Sequence, residues 1–137
     1  MNQTKEKFYE KISFNKDILK NKNILSNKTC NQTILVIGGA GTIGSSYVKQ
    51  ILNYKPSKIT VVDINENGLT ELTRDLRSSN LLDYNPEYIT YPVNLLSDTF
   101  DKIFNSETWQ VVANFSAHKH VRSEKDKISV EALIKNN

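Results

Sequence analysis

Ile34-Leu35-Val36-Ile37-Gly38-Gly39-Ala40-Gly41-Thr42-Ile43-Gly44 is an apolar run that breaks into glycines and then resumes with helical periodicity. The pattern predicts a buried strand, a tight loop and the first turn of a helix. Three glycines, Gly38, Gly41 and Gly44, recur every third residue, and each position has a steric reason. Gly38 permits the turn out of the strand, Gly41 admits a ligand close to the backbone, and Gly44 lets the helix pack closely on the sheet. The free N–H groups of the first helical turn, near Thr42 and Ile43, would then face an anion, with the helix dipole favouring its charge. A glycine triplet alone is weak evidence. Here it follows a strand-like run, opens a helix-like run, and is answered by Asp63, nineteen residues after Gly44. That context points to a dinucleotide pyrophosphate.

The 137 residues hold one domain with a core but hardly two. Hydrophobic residues at 38% and charged residues at 24% fit a soluble globular chain. No apolar run approaches the roughly 20 residues of a membrane helix, and the start, Met1-Asn2-Gln3-Thr4-Lys5-Glu6, has no signal-peptide character. A cytoplasmic protein is expected. Cys30 has no second cysteine to pair with and no metal-ligand company, so it is an incidental thiol. The net charge of +3 is concentrated in residues 1–30, where seven lysines face three acids. This arm lacks arginine and interleaved aromatics, so it reads as a solvated helix face rather than a nucleic-acid surface.

Phe8, Ile12 and Leu19, with Phe14 and Ile18, predict an amphipathic helix within residues 4–20, followed by a linker at 21–28. Residues 1–31 are thus helix and linker, and 32–137 a separate domain. In that domain Ile43, Tyr47, Val48, Ile51 and Leu52 mark one helix face, which must stop before Pro56. A strand at 58–62 ends at Asp63. Leu69, Leu72 and Leu76 mark a second helix, 88–91 a third strand, Phe100, Ile103 and Phe104 a third helix, and 110–115 a fourth strand. Such alternation predicts an α/β fold, a Rossmann-like doubly wound parallel sheet of strand order 3-2-1-4.

Ligands of such sheets sit beyond the carboxyl ends of the strands. Asp63 at the end of strand 2 could accept the ribose hydroxyls of adenosine and would repel a 2′-phosphate, and Ile64 offers no guanidinium to one, so NAD is favoured over NADP. A solvated strand-end aspartate or a helix cap is the alternative for Asp63. Asn94 and Leu95 follow strand 3, where the Asn94 amide could meet the adenine edge or simply make a turn. After strand 4 come Ser116, Ala117, His118, Lys119 and His120. Lys119 lies where a nicotinamide ribose or substrate phosphate would pass, with a solvated loop lysine as the alternative. Two histidines two apart, without a carboxylate or thiol at ligand spacing, make no metal site. Tyr54-Lys55-Pro56-Ser57-Lys58 matches Tyr-x-x-x-Lys, but Pro56 forbids the helix that would align the pair, so the match is chance.

The runs Ile34–Ser46, Val62–Asn67 and Ala117–Asp126 resemble the extended short-chain dehydrogenase/reductases of bacterial polysaccharide biosynthesis. These are the capsular and flagellin-glycan nucleotide-sugar 4,6-dehydratases and 4-epimerases, such as UDP-N-acetylglucosamine 4,6-dehydratase. The resemblance covers residues 32–137, and Lys119-His120-Val121 is its more particular part. It implies cofactor contacts at Gly38, Gly41, Thr42, Ile43, Gly44, Asp63, Ile64, Asn94, Leu95, Ser116, Ala117 and Lys119, with NAD or NADP as cofactor and a UDP-sugar as substrate of the complete enzyme. It also implies that the catalytic Tyr-x-x-x-Lys helix and the sugar-binding part lie downstream of Asn137, so that this chain contributes no catalytic residue. The sheet edge left open would favour a homo-oligomer or a complementary C-terminal chain. The reading from a different class is a non-catalytic dinucleotide-binding or interaction module.

Overall fold

The computed structural model describes residues 14–117 and 127–136. Its elements in chain order are α1 (Phe14–Lys20), α2 (Lys22–Thr29), β1 (Thr33–Ile37), α3 (Thr42–Leu52), β2 (Lys58–Asp63), α4 (Glu66–Ser78), β3 (Glu87–Pro92), α5 (Asp98–Asn105), β4 (Val111–Asn114) and α6 (Lys127–Asn136). The four strands form one parallel sheet in the order β3-β2-β1-β4, as the alternation predicts. This is the Rossmann-like arrangement.

Strand β1 is apolar and buried from Ile34 to Ile37, as both its faces are covered there. Ile34 and Val36 join Ile59 and Val61 of β2 beneath Val48, Ile51 and Leu52 of α3 and Leu69, Leu72 and Leu76 of α4. On the opposite face Leu35, Ile37 and Val62 meet Phe100 of α5, with Val93, Leu95 and Trp109 packed at the margin. Among the described residues β4 pairs only with β1, and its Val112 remains 47% exposed. No helix among the described residues is long and apolar enough to cross a membrane.

Three expectations are corrected. The stretch read as a linker carries α2, which nothing in its sequence breaks: Leu25 N–H bonds Asn21 O at 2.9 Å, and Thr29 is buried. Ile43, assigned to the buried face of α3, is 65% exposed, whereas Gly44 beside it is the residue of the first turn that is buried. Phe104, assigned to the packed face of α5, is also exposed, while its ring lies 6.0 Å from that of Phe100. The part of the expected N-terminal helix that precedes Phe14 lies outside the described residues.

Thr60 is buried in β2, and its Oγ1 has no hydrogen-bond partner among the described residues. A buried hydroxyl without a partner forfeits its bonds to water, a cost of about 1–3 kcal/mol. Thr60→Val keeps the shape and removes the hydroxyl. It is expected to raise stability by about 1 kcal/mol, read as a higher midpoint in urea unfolding with an unchanged slope.

Candidate functional site

The carboxyl ends of β1, β2 and β4 converge on the glycine loop. Gly38 has φ +73, which disfavours any side chain, and a Cβ there would lie 2.6 Å from Ser116 N and 2.8 Å from Phe115 C. The backbones following β1 and β4 therefore touch directly, as only glycine allows. Gly38 N–H donates to Val62 O at 2.8 Å, which ties the loop to β2 as well. The segment after β4 is fixed from both sides: Phe115 N–H donates to Ile37 O at 2.8 Å, and the Phe115 ring lies 5.0 Å from that of Tyr47 on α3. Burial pushes the Tyr47 phenol up from its ordinary pKa, so it remains neutral packing.

The glycines divide the work differently from one another. Gly44 is buried, and a Cβ there would stand 2.2 Å from Gly38 O and 2.8 Å from Gly39 Cα. It presses on the backbone of the loop itself, rather than on the strands. At Gly41 the nearest atom to an added Cβ is Gly38 O at 3.6 Å, so the exposed side of this residue is open. Gly41 is the extended residue that precedes α3, and it supplies no side-chain cap. The other two helices on the sheet are capped: Asn65 Oδ1 accepts from Gly68 N–H at 3.0 Å, and Ser97 Oγ accepts from Phe100 N–H at 3.3 Å. At α3 the N–H groups of Gly41, Thr42, Ile43 and Gly44 find no acceptor among the described residues. Gly41, Thr42 and Ile43 are exposed, so an anion can reach their donors.

Asp63 is half-buried and already engaged. Its Oδ2 accepts Ala40 N–H at 2.9 Å and its Oδ1 accepts Asn65 N–H at 3.0 Å. Each carboxylate oxygen keeps a further lone pair for a ligand. Ile64 beside it is exposed. Asn94 is exposed and shapes its own turn, with Oδ1 accepting Leu96 N–H at 2.9 Å, which leaves its amide nitrogen to donate outward. Leu95 points into the Leu35 and Phe100 cluster and is packing first. Ser116 is held by Asn114, whose Oδ1 accepts from Ser116 N–H at 2.9 Å and from Ser116 Oγ at 2.7 Å, and Ala117 is exposed. His118, Lys119 and His120 lie outside the described residues.

The geometry thus brings Gly38, Gly41, Thr42, Ile43, Gly44, Asp63 and Ser116 to one end of the sheet. Sequence reasoning passes over three neighbours. A Cβ on Gly39 would lie 2.2 Å from Val61 Cγ1, Ala40 is the donor to Asp63, and Gly68 lets the first turn of α4 approach the Ala40 methyl, at 2.9 Å from an added Cβ. A glycine inside a helical pattern costs about 1 kcal/mol against alanine, so Gly68 carries a detectable sign of close packing. At the opposite edge Lys58 Nζ pairs with Glu87 at 2.9 Å and with Glu107, and Tyr54 packs on the core outside any helix. Those contacts remove the Tyr54–Lys58 pair from the site.

Residues 34–137 match the family described as "Polysaccharide biosynthesis protein". An uncharacterized membrane protein of Methanocaldococcus jannaschii, MJ1061, is 47% identical over 51 residues, 37% of this chain and 15% of that protein. The capsular polysaccharide biosynthesis protein CapD of Staphylococcus aureus is 29% identical over 98 residues, 66% of this chain and 15% of that one. Among solved structures, Pen from Bacillus thuringiensis superposes with a TM-score of 0.56 at 28% identity, covering 67% of this chain and 27% of Pen. A candidate D-mannonate oxidoreductase from Haemophilus influenza, solved with bound NAD, superposes with a TM-score of 0.54 at 16% identity, covering 82% of this chain and 48% of that one. The segments matched in the two curated relatives are 15% of their length.

Proposed function

Because the chain belongs to the polysaccharide biosynthesis protein family, we propose that residues 32–137 are the NAD(P)-binding segment of a nucleotide-sugar 4,6-dehydratase or 4-epimerase, acting in the cytoplasm on a UDP-sugar. Residues 1–31 are a separate segment that carries the chain's excess of lysine and joins the domain at Asn31, whose N–H donates to Lys55 O at 3.0 Å. The observation that carries this reading is the uncapped start of α3, where Gly41, Thr42 and Ile43 offer exposed N–H groups behind a loop whose open side is Gly41. A pyrophosphate fits that cradle in charge and donor count. The NAD held by the Haemophilus protein of the same fold supports a nicotinamide dinucleotide over other nucleotides.

The remaining contacts follow from the pyrophosphate. The free lone pairs of Asp63 face the adenosine ribose hydroxyls, exposed Ile64 flanks the adenine, and the Asn94 amide nitrogen can donate to the base edge. Ser116, held against Gly38, and exposed Ala117 after it line the path toward the nicotinamide ribose, and Lys119 follows them in sequence. When bound, the dinucleotide supplies reversible hydride acceptance, the chemistry that oxidation at a sugar C4 requires before loss of water from C6 or inversion at C4. This chain's part is to bind and orient, and we assign it no acid or base.

The dinucleotide preference is open to direct measurement. Asp63 sets a carboxylate where NADP would place a phosphate, and like charges in contact cost several kcal/mol. Calorimetric titration of the chain is therefore expected to give a Kd for NAD at least about tenfold below that for NADP. Equal affinities would remove the selective role from Asp63, and binding of neither would remove the cofactor reading itself.

A further inference from the structure

Resting on that dinucleotide reading, we propose that Asp63 is also a positioning residue, whose carboxylate holds the glycine loop in its pyrophosphate-binding shape. The two oxygens are divided between two loops. Oδ2 takes Ala40 N–H at 2.9 Å from the loop after β1, and Oδ1 takes Asn65 N–H at 3.0 Å from the loop after β2. Ala40 immediately precedes Gly41, where the run of unpaired donors begins. Its methyl is confined as well, by the first turn of α4 at Gly68. The preceding amides of Gly38 and Gly39 both point at Val62 O, at 2.8 and 3.4 Å. The loop is thus fastened to the end of β2 by one carbonyl and one carboxylate, and the carboxylate is the same group that meets the ribose. Recognition of sugar and of pyrophosphate is coupled through one side chain. An amide cannot replace it, because one of its two ends would present N–H to an N–H donor.

Two measurements on the full chain test this. Amide hydrogen exchange, read by NMR and corrected for intrinsic rates, is expected to be about tenfold slower at Ala40 than at Gly41 and Thr42, the effect of a hydrogen bond to a charged acceptor. In Asp63→Ala, which removes both acceptor oxygens, the Ala40 amide should lose that protection. An Ala40 amide that exchanges as fast as Gly41 in the unaltered protein would overturn the proposal, whether or not the variant folds. The second measurement uses 2′,3′-dideoxyadenosine 5′-diphosphate, which has no ribose hydroxyl for Asp63 to bind. Its calorimetric affinity should fall about tenfold or more in Asp63→Ala, the effect of one hydrogen bond to a charged group. An unchanged affinity would confine Asp63 to ribose contact. Should the unaltered chain bind neither NAD nor this probe, the cofactor reading fails while the exchange comparison still decides the positioning role.

Discussion

Gly44→Ala is expected to lower the stability of the chain by about 3 kcal/mol, and the thermal midpoint by roughly 10 °C. One methyl suffices because of what it meets. The added carbon would stand 2.2 Å from Gly38 O and 2.8 Å from Gly39 Cα, both backbone atoms. A clash with a flexible side chain relaxes by rotation, whereas here either α3 or the loop must move. Neither is free. Gly38 is pinned to Val62 O and abuts Ser116, and α3 carries Val48, Ile51 and Leu52 into the core. Alanine is the better helix former, so intrinsic propensity alone would call for a gain of about 1 kcal/mol. The sign of the change separates the two effects. Denaturation followed by circular dichroism reads it directly, and a stabilised variant would mean that α3 does not rest on the loop backbone.

Gly41→Val is expected to do the reverse, with little change in stability and loss of dinucleotide binding. Gly41 is exposed, its backbone is extended at φ −71 and ψ 167, and the nearest atom to an added Cβ is 3.6 Å away. A β-branched residue accepts that conformation. Its side chain, however, would occupy the space over the open N–H groups at the start of α3. The thermal midpoint should stay within about 2 °C of the unaltered protein, a change below 1 kcal/mol. The pair of substitutions thus separates two glycines of one triplet, one needed for folding and the other for binding.

The strand order, the alternation of strand and helix from β1 to β4, and the loop are legible in the chain because they rest on local signals. The unbroken apolar run from Ile34 to Ile37 declares a strand covered on both faces, and glycines at 38, 41 and 44 declare a sharp turn into a helix. What was not legible depends on contacts between segments far apart in sequence. Periodicity assigned Ile43 and Phe104 to packed faces, since it reports which residues share a side of a helix and not how far that side is covered. Residues 21–28 read as a linker, yet α2 forms there. Asp63 was recognised by its distance from the glycines, but its grip on Ala40 spans 23 residues and has no signature of its own. Gly39 is similar: its closeness to Val61 Cγ1 arises only once β1 and β2 lie side by side.

The open donors at the start of α3 are the place where a dinucleotide pyrophosphate would be held. Calorimetric titration of NAD into the unaltered chain and into folded Gly41→Val tests this most directly. Saturable binding to the first and none to the second is the expected result. Equal affinity of the two proteins would contradict it.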